Sequence, residues 1–229
     1  MRRALMLVGV VALLVMAFAG VALAAVISCT GGLCVGTPQP DRMNGTAQTD
    51  IIRALDGFDE VFARGGEDEL RGGNLGDELF GQNGSDAYFG GSGADFLSEF
   101  PQECCEVPPH TGDDEMNGGD GPDFMEGGEG DDILRGQAGD ESEAGFPDDV
   151  EMRGGPGEDE LYGGTGDDSM SGDEGADEMR GGADSDFLFA SVFTEEQPDV
   201  VDGGDGFDQC IVDGNDTVMN CERTETIIP

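Results

Sequence analysis

Gly90-Gly91-Ser92-Gly93-Ala94-Asp95-Phe96-Leu97-Ser98 is a nine-residue unit with glycine at positions one, two and four, aspartate at six and an aliphatic residue at eight. Read backwards, the same register runs without a break to Gly36, giving seven units: 36–44, 45–53, 54–62, 63–71, 72–80, 81–89 and 90–98. Downstream, Glu99 to Pro108 interrupts it with Pro101, Cys104 and Cys105. The register then resumes for nine units from Pro109 to Phe189, slips by four residues at Ala190 to Phe193, and ends with units 194–202 and 203–211. Across these eighteen units position six is Asp in sixteen, the exceptions being Glu141 and Val150. Position eight is apolar or Cys in seventeen, the exception being Glu143. An acid and an apolar residue kept two apart through so many consecutive units mark a stacked repeat, in which no unit buries its apolar face alone.

The chemistry of the unit follows from its residue types. Glycine reaches φ > 0 without steric cost, so Gly-Gly-x-Gly predicts a tight turn with carbonyl oxygens directed inward. The closing x-apolar-x predicts a very short strand that sends position eight inward and its neighbours outward. Two units then make one coil, and stacked coils make two parallel sheets, an all-β fold. Calcium is a hard cation that takes six to eight oxygen ligands, and the turn carbonyls with the short aspartate stem can supply them. One apolar residue in nine cannot offset the ordering entropy of so glycine-rich a chain. The array is therefore expected to be largely unfolded without calcium and to fold as its sites fill. Extracellular calcium modules work near ~10⁻⁴ to 10⁻³ M, a regime that leaves such a chain unfolded where calcium is scarce.

Composition narrows the partners. Fifty-one acidic residues against ten basic ones give a formal charge of −41, which selects cations and argues against nucleic acid and anionic membrane surfaces. Met1-Arg2-Arg3, an apolar run from Ala4 to Val21 and Ala22-Leu23-Ala24 form the pattern of a cleaved signal peptide. The rival is a single membrane anchor, since the run approaches the roughly 20 residues that span a bilayer. The A-x-A site favours cleavage, and thus a secreted chain with no membrane contact afterwards. Six cysteines in an exported chain point to disulfides with 15 possible connectivities. Sequence proximity favours Cys29–Cys34 and Cys210–Cys221. Cys104 and Cys105 are adjacent, a vicinal disulfide is strained, and the sequence leaves that bond open. A zinc site has no C-x-x-C pair or histidine cluster behind it.

Catalytic signatures are lacking. The single histidine, His110, cannot furnish H-E-x-x-H, and no G-x-S-x-G occurs. Carboxylates are so frequent that their spacing carries no glycosidase signal. An EF-hand needs a twelve-residue loop between helices, which a period of nine excludes.

Gly118-Gly119-Asp120-Gly121-Pro122-Asp123-Phe124-Met125, Gly127-Gly128-Glu129-Gly130-Asp131-Asp132-Ile133-Leu134 and Gly154-Gly155-Pro156-Gly157-Glu158-Asp159-Glu160-Leu161 resemble the hemolysin-type, or RTX, calcium-binding repeat. The flanks, Ile27 to Thr37 and Asp202 to Glu222, resemble those of small exported members closed by terminal cysteine pairs. The resemblance implies a parallel β-roll, a β-helix or solenoid of nonapeptides, with several Ca²⁺ ions in its turns. Each ion would lie between turns on one edge, pairing Asp59 with Asp77 and Asp77 with Asp95, and on the other edge Asp50 with Asp68 and Asp68 with Asp86. The implied metal ligands are Asp50, Asp59, Asp68, Asp77, Asp86, Asp95, Asp114, Asp123, Asp132, Asp159, Asp168, Asp177, Asp186 and Asp208. Asp41 and Asp199 lie in units without the full glycine pattern and are left out. Units 136–144 and 145–153 are expected to bind calcium weakly or to bulge.

The domain map that follows is 1–24 signal peptide, 25–35 N-terminal disulfide cap, 36–98 first array, 99–108 cysteine-containing interruption, 109–189 second array, 190–211 short insertion and terminal repeats, and 212–229 C-terminal cap. Two functions fit: a secreted, non-catalytic calcium-binding module that folds on extracellular calcium, or a calcium-dependent adhesion module with a protein or cell-surface partner. For the second, Glu99 to Pro108 and Ala190 to Pro198, with Phe193, carry the distinctive side chains.

Overall fold

Each x-apolar-x stretch closes as a short parallel strand. Its Asp carbonyl accepts a hydrogen bond from the next coil; the Glu78 N–H, for example, donates to the Asp59 carbonyl at 2.8 Å. The computed structural model of the chain describes residues 25–99, 112–138, 152–190 and 197–227. The leader 1–24, Cys104, Cys105, His110, Glu141, Glu143, Val150 and Phe193 lie outside the described residues.

Among the described residues every regular element is a strand, and successive strands alternate between two sheets. An eleven-stranded sheet runs from Ala25–Ser28 to Arg223–Thr226, and a ten-stranded sheet from Gly32–Val35 to Thr217–Met219. All pairings are parallel, as in Glu69–Asn74 beside Ala87–Ser92. This is the parallel β-roll that the repeat implied.

Position eight forms the core. Ile52, Leu70, Tyr88, Met116, Leu134 and Leu161 line one sheet, and Val61, Leu79, Leu97, Met125, Met152 and Met170 face them from the other, all with no exposed surface. At ~25 cal/mol per Å² this column carries most of the apolar burial. One departure lies on the outer face: Phe62 and Phe80 at position nine are also buried. Their rings stack at 5.1 Å, and Phe96 and Phe124 continue the row at 4.7 Å. Four aromatic rings on successive coils cover one another, so an outward position need not be wet.

The stacking step exposes the irregularities. It is 18 residues where the repeat is regular, as from Asp59 to Asp77. It becomes 28 across the first interruption, from Asp95 to Asp123, and 22 across the four-residue slip, from Asp177 to Asp199. Between Asp132 and Asp159 it is 27, so the flanking strands pair as though one nonapeptide were absent. The register of 109–189 therefore contains one unit more than the rungs use. Met152 fills the rung beside Met125, the place that an uninterrupted register would give to position eight of unit 136–144.

The roll also extends beyond the repeats. Strands Ala25–Ser28 and Gly32–Val35 precede them, and Thr217–Met219 and Arg223–Thr226 follow. Disulfides Cys29–Cys34 (Cα–Cα 5.6 Å) and Cys210–Cys221 (6.0 Å) tie these ends, with Cys34 and Cys210 inside the core cluster.

Candidate metal-binding turns

The turn backbone is dictated by how closely coils stack. Position two is left-handed throughout the regular units, at Gly73 (φ 130) and Gly91 (φ 118) but also at Arg64 (φ 85) and Gln82 (φ 76). A Cβ on Gly73 would lie 2.8 Å from the Leu55 carbonyl carbon of the preceding coil. At position one the missing side chain leaves room for oxygens. A Cβ on Gly72 would lie 2.6 Å from the Gly90 carbonyl oxygen and would also meet the Asp77 carboxylate; Gly127 has the same relation to the Gly154 oxygen (2.7 Å) and Asp132. Carboxylate and carbonyl oxygens thus face one cradle per turn.

The fourteen aspartates named from the repeat are all at most 3 % exposed. They fall on two edges. On one, the N–H groups of Asp59, Asp77 and Asp95 donate to Oδ1 of Asp77 (2.9 Å), Asp95 (2.8 Å) and Asp123 (2.9 Å). Among the described residues that ladder is seen again from Asp168 to Asp186 (3.0 Å) and Asp208 (2.9 Å). On the other edge the chain Asp50, Asp68, Asp86, Asp114, Asp132, Asp159, Asp177 is unbroken, with links of 2.6 to 2.9 Å. The pairs implied by the family, Asp59 with Asp77 and Asp50 with Asp68 among them, are neighbours in these ladders.

In eleven of these carboxylates one oxygen is thereby used and the other is not. Oδ2 of Asp59, Asp68, Asp77, Asp86, Asp95, Asp114, Asp123, Asp132, Asp159, Asp186 and Asp208 is buried without a hydrogen-bond partner. Burial, partly offset by the N–H bond, pushes Asp59, Asp68 and Asp95 up to about 6, Asp86, Asp123, Asp132 and Asp186 to about 7, and Asp77 and Asp159 to about 8. A row of buried carboxylates costs free energy unless a cation meets it. The donors that face the cradle are carboxylate and carbonyl oxygens, a set that fits a hard cation and not zinc.

The ends differ. The Oδ2 of Asp50 accepts bonds from the Thr46 N–H (2.7 Å) and hydroxyl (2.9 Å), and Thr37 does the same for the Asp41 carboxylate. A threonine in Gly-Thr-x-Gln-x-Asp therefore takes up one oxygen of Asp50, while the Asp50 Oδ1 stays buried without a partner. At the other end Asp216 accepts the Asp199 N–H (3.0 Å), and Glu222 accepts the Asp208 N–H (2.9 Å). Asp41 and Asp199, set aside for want of glycines, stand in the ladders. Asp216 was legible as Asp216-Thr217-Val218, the acid and apolar residue two apart; Glu222 carries no such signal.

No curated protein matches the chain. The model of the RTX calcium-binding nonapeptide repeat matches four times, over residues 44–77, 76–97, 110–140 and 153–188, together more than half of the chain. With that match, and a parallel β-roll whose turns hold buried oxygens in register, the chain belongs to the RTX calcium-binding nonapeptide repeat family, and its cofactor is calcium, several ions to a chain.

Proposed function

We propose that this chain is a secreted, non-catalytic module whose β-roll assembles on calcium outside the cell. The observation that carries the reading is the row of buried, unpartnered Oδ2 atoms along both edges. Asp59, Asp68, Asp77, Asp86, Asp95, Asp114, Asp123, Asp132, Asp159, Asp168, Asp177, Asp186 and Asp208 are assigned as ligands, each ion shared by adjacent coils of one edge. Asp50 is assigned with them through its buried, unpartnered Oδ1. Export is supported by the basic, apolar and A-x-A succession in 1–24, and by two disulfides that persist in oxidising compartments. The domain map drawn from the sequence is part of this proposal.

Isothermal titration with metal stoichiometry tests it. Calcium should bind at multiple sites with affinities near ~10⁻⁴ to 10⁻³ M, and magnesium, which keeps its waters and demands an octahedral shell, should not replace it. Nanomolar affinity at every site, or binding of no calcium, would overturn the proposal. A second reading, calcium-dependent adhesion, draws on Phe58 and Phe207, which are 66 % and 64 % exposed at the turns. A pull-down from cell-surface extract that depends on calcium and is lost on replacing both phenylalanines would favour it.

A further inference from the structure

Glu99 is the first residue of the first interruption and has no exposed surface. It follows strand Phe96–Ser98, which pairs with Phe124–Glu126 through Ser98 and Glu126, so Glu99 falls beside Gly127, at position one of its coil. Regular coils place glycine or alanine there, and the oxygen cradle occupies the space a longer side chain would take. Glu99 puts a carboxylate into that space. Its Cδ lies 2.7 Å from where a Cβ on Gly128 would stand, so glycine at 128 makes room for the head group. Neither Oε1 nor Oε2 finds a donor from the backbone or a neutral side chain; the group facing them is the Asp114 carboxylate, to which Glu99 hydrogen-bonds only when one of the two acids holds a proton. The carboxylates that act on it are Asp114 most strongly, then Asp132 and Asp86, all on the unbroken edge. Asp114 keeps its own buried Oδ2 unpartnered.

We propose that Glu99 is a calcium ligand which, with Asp114, presents two carboxylates to one ion and makes this coil the tightest site of the roll. The proposal rests on the calcium reading above and adds to it a ligand outside the nonapeptide pattern. Affinity of an oxygen site rises with the number of charged ligands and with rigidity. Every other described turn offers one repeat aspartate per coil, whereas this one offers two acids from opposite ends of the interruption. Filling it joins residue 99 to residue 114 and holds the two arrays in register across the intervening segment.

Tyr88 makes the site readable. It is fully buried, its hydroxyl accepts the Gly81 N–H at 3.1 Å, and Asp114, Asp86 and Glu99 are its charged neighbours. Only one other tyrosine, the outward Tyr162, and no tryptophan are present. Terbium replaces calcium at oxygen sites and emits when an adjacent tyrosine is excited. In the whole protein, the first equivalent of terbium should give emission that Tyr88→Phe abolishes and Tyr162→Phe preserves. Calcium should displace it at concentrations roughly tenfold below those that fill the remaining sites. Glu99→Gln, close in shape, should remove that tight class and leave the weaker sites, while Asp123→Asn should remove one weak site and keep the tight one.

An isotherm unchanged by Glu99→Gln would mean that Glu99 and Asp114 share a proton instead of an ion, and overturns the proposal while the calcium reading stands. First-equivalent emission insensitive to Tyr88→Phe overturns it equally, without depending on how the Glu99 variant folds. A chain that binds neither ion at any site would sink the calcium reading itself.

Discussion

Removing calcium at neutral pH should unfold the roll, and the size of the effect can be worked from the eleven aspartates that keep a buried Oδ2 without a partner. A buried polar atom left unsatisfied costs ~1–3 kcal/mol, and more when charged. Even at the lower bound, eleven such atoms cost about 11 kcal/mol, comparable with the whole ~5–15 kcal/mol that stabilises an ordinary domain. Conversely, a site of Kd ~10⁻⁴ M in 10 mM calcium contributes ~2.7 kcal/mol by mass action, enough to offset its own oxygen. The assay is far-UV circular dichroism with thermal melts, in chelator and in 10 mM calcium. The β signal should be largely absent in chelator and should return cooperatively with calcium, with a melting midpoint that climbs as calcium is raised. Equal β content and equal midpoints in both buffers would refute the reasoning, because the buried carboxylates would then be tolerated without an ion.

Protons should partly replace calcium. Folded values of about 6 for Asp59 and about 8 for Asp77 and Asp159 lie above the 3.8 of the unfolded chain. The folded state therefore holds more protons, and stability, full below about pH 4, is lost as pH rises through 6 to 8. Melts in chelator should show more β structure at pH 5 than at pH 8, and the opposite slope would contradict the burial argument. Leu79→Ala removes a side chain with no exposed surface from the middle of the column, at a cost of ~2–5 kcal/mol that chemical denaturation in saturating calcium should report. Reducing the disulfides should cost about 3 kcal/mol for Cys210–Cys221, which spans 11 residues, and about 2 kcal/mol for Cys29–Cys34, which spans 5. Serine variants of each pair, melted in calcium, should keep that order.

The family match accounts for the roll and its ion but not for how this chain departs from a uniform array. In its first coils Thr37 and Thr46 donate to the Asp41 and Asp50 carboxylates, while at its far end Asp216 and Glu222 accept the ladder N–H groups. The two sheets end in disulfides where open strand edges would otherwise invite association. Among the described residues the ladder of one edge is continuous from Asp50 to Asp216. The continuous edge is the one that Glu99 joins.

By itself the sequence determined the period, the all-strand class, the inward column at position eight and the aspartates of the turns. Those depend on spacing along the chain: nine residues make half a coil, and Asp95 and Leu97 keep their relation whatever lies elsewhere. The cysteine pairs were legible for the same reason, since each joins near neighbours in sequence. Only the tertiary structure decided what depends on which coil lies above which. It omitted one nonapeptide from the rungs near Glu143, buried Phe80 on an outer face by stacking it on Phe62, and gave Asp50 a threonine partner. It also brought Glu99 beside Asp114, although the nonapeptide register stops at residue 98. A residue outside the repeat has no periodic signal, and its neighbours are set by the stacking of distant turns.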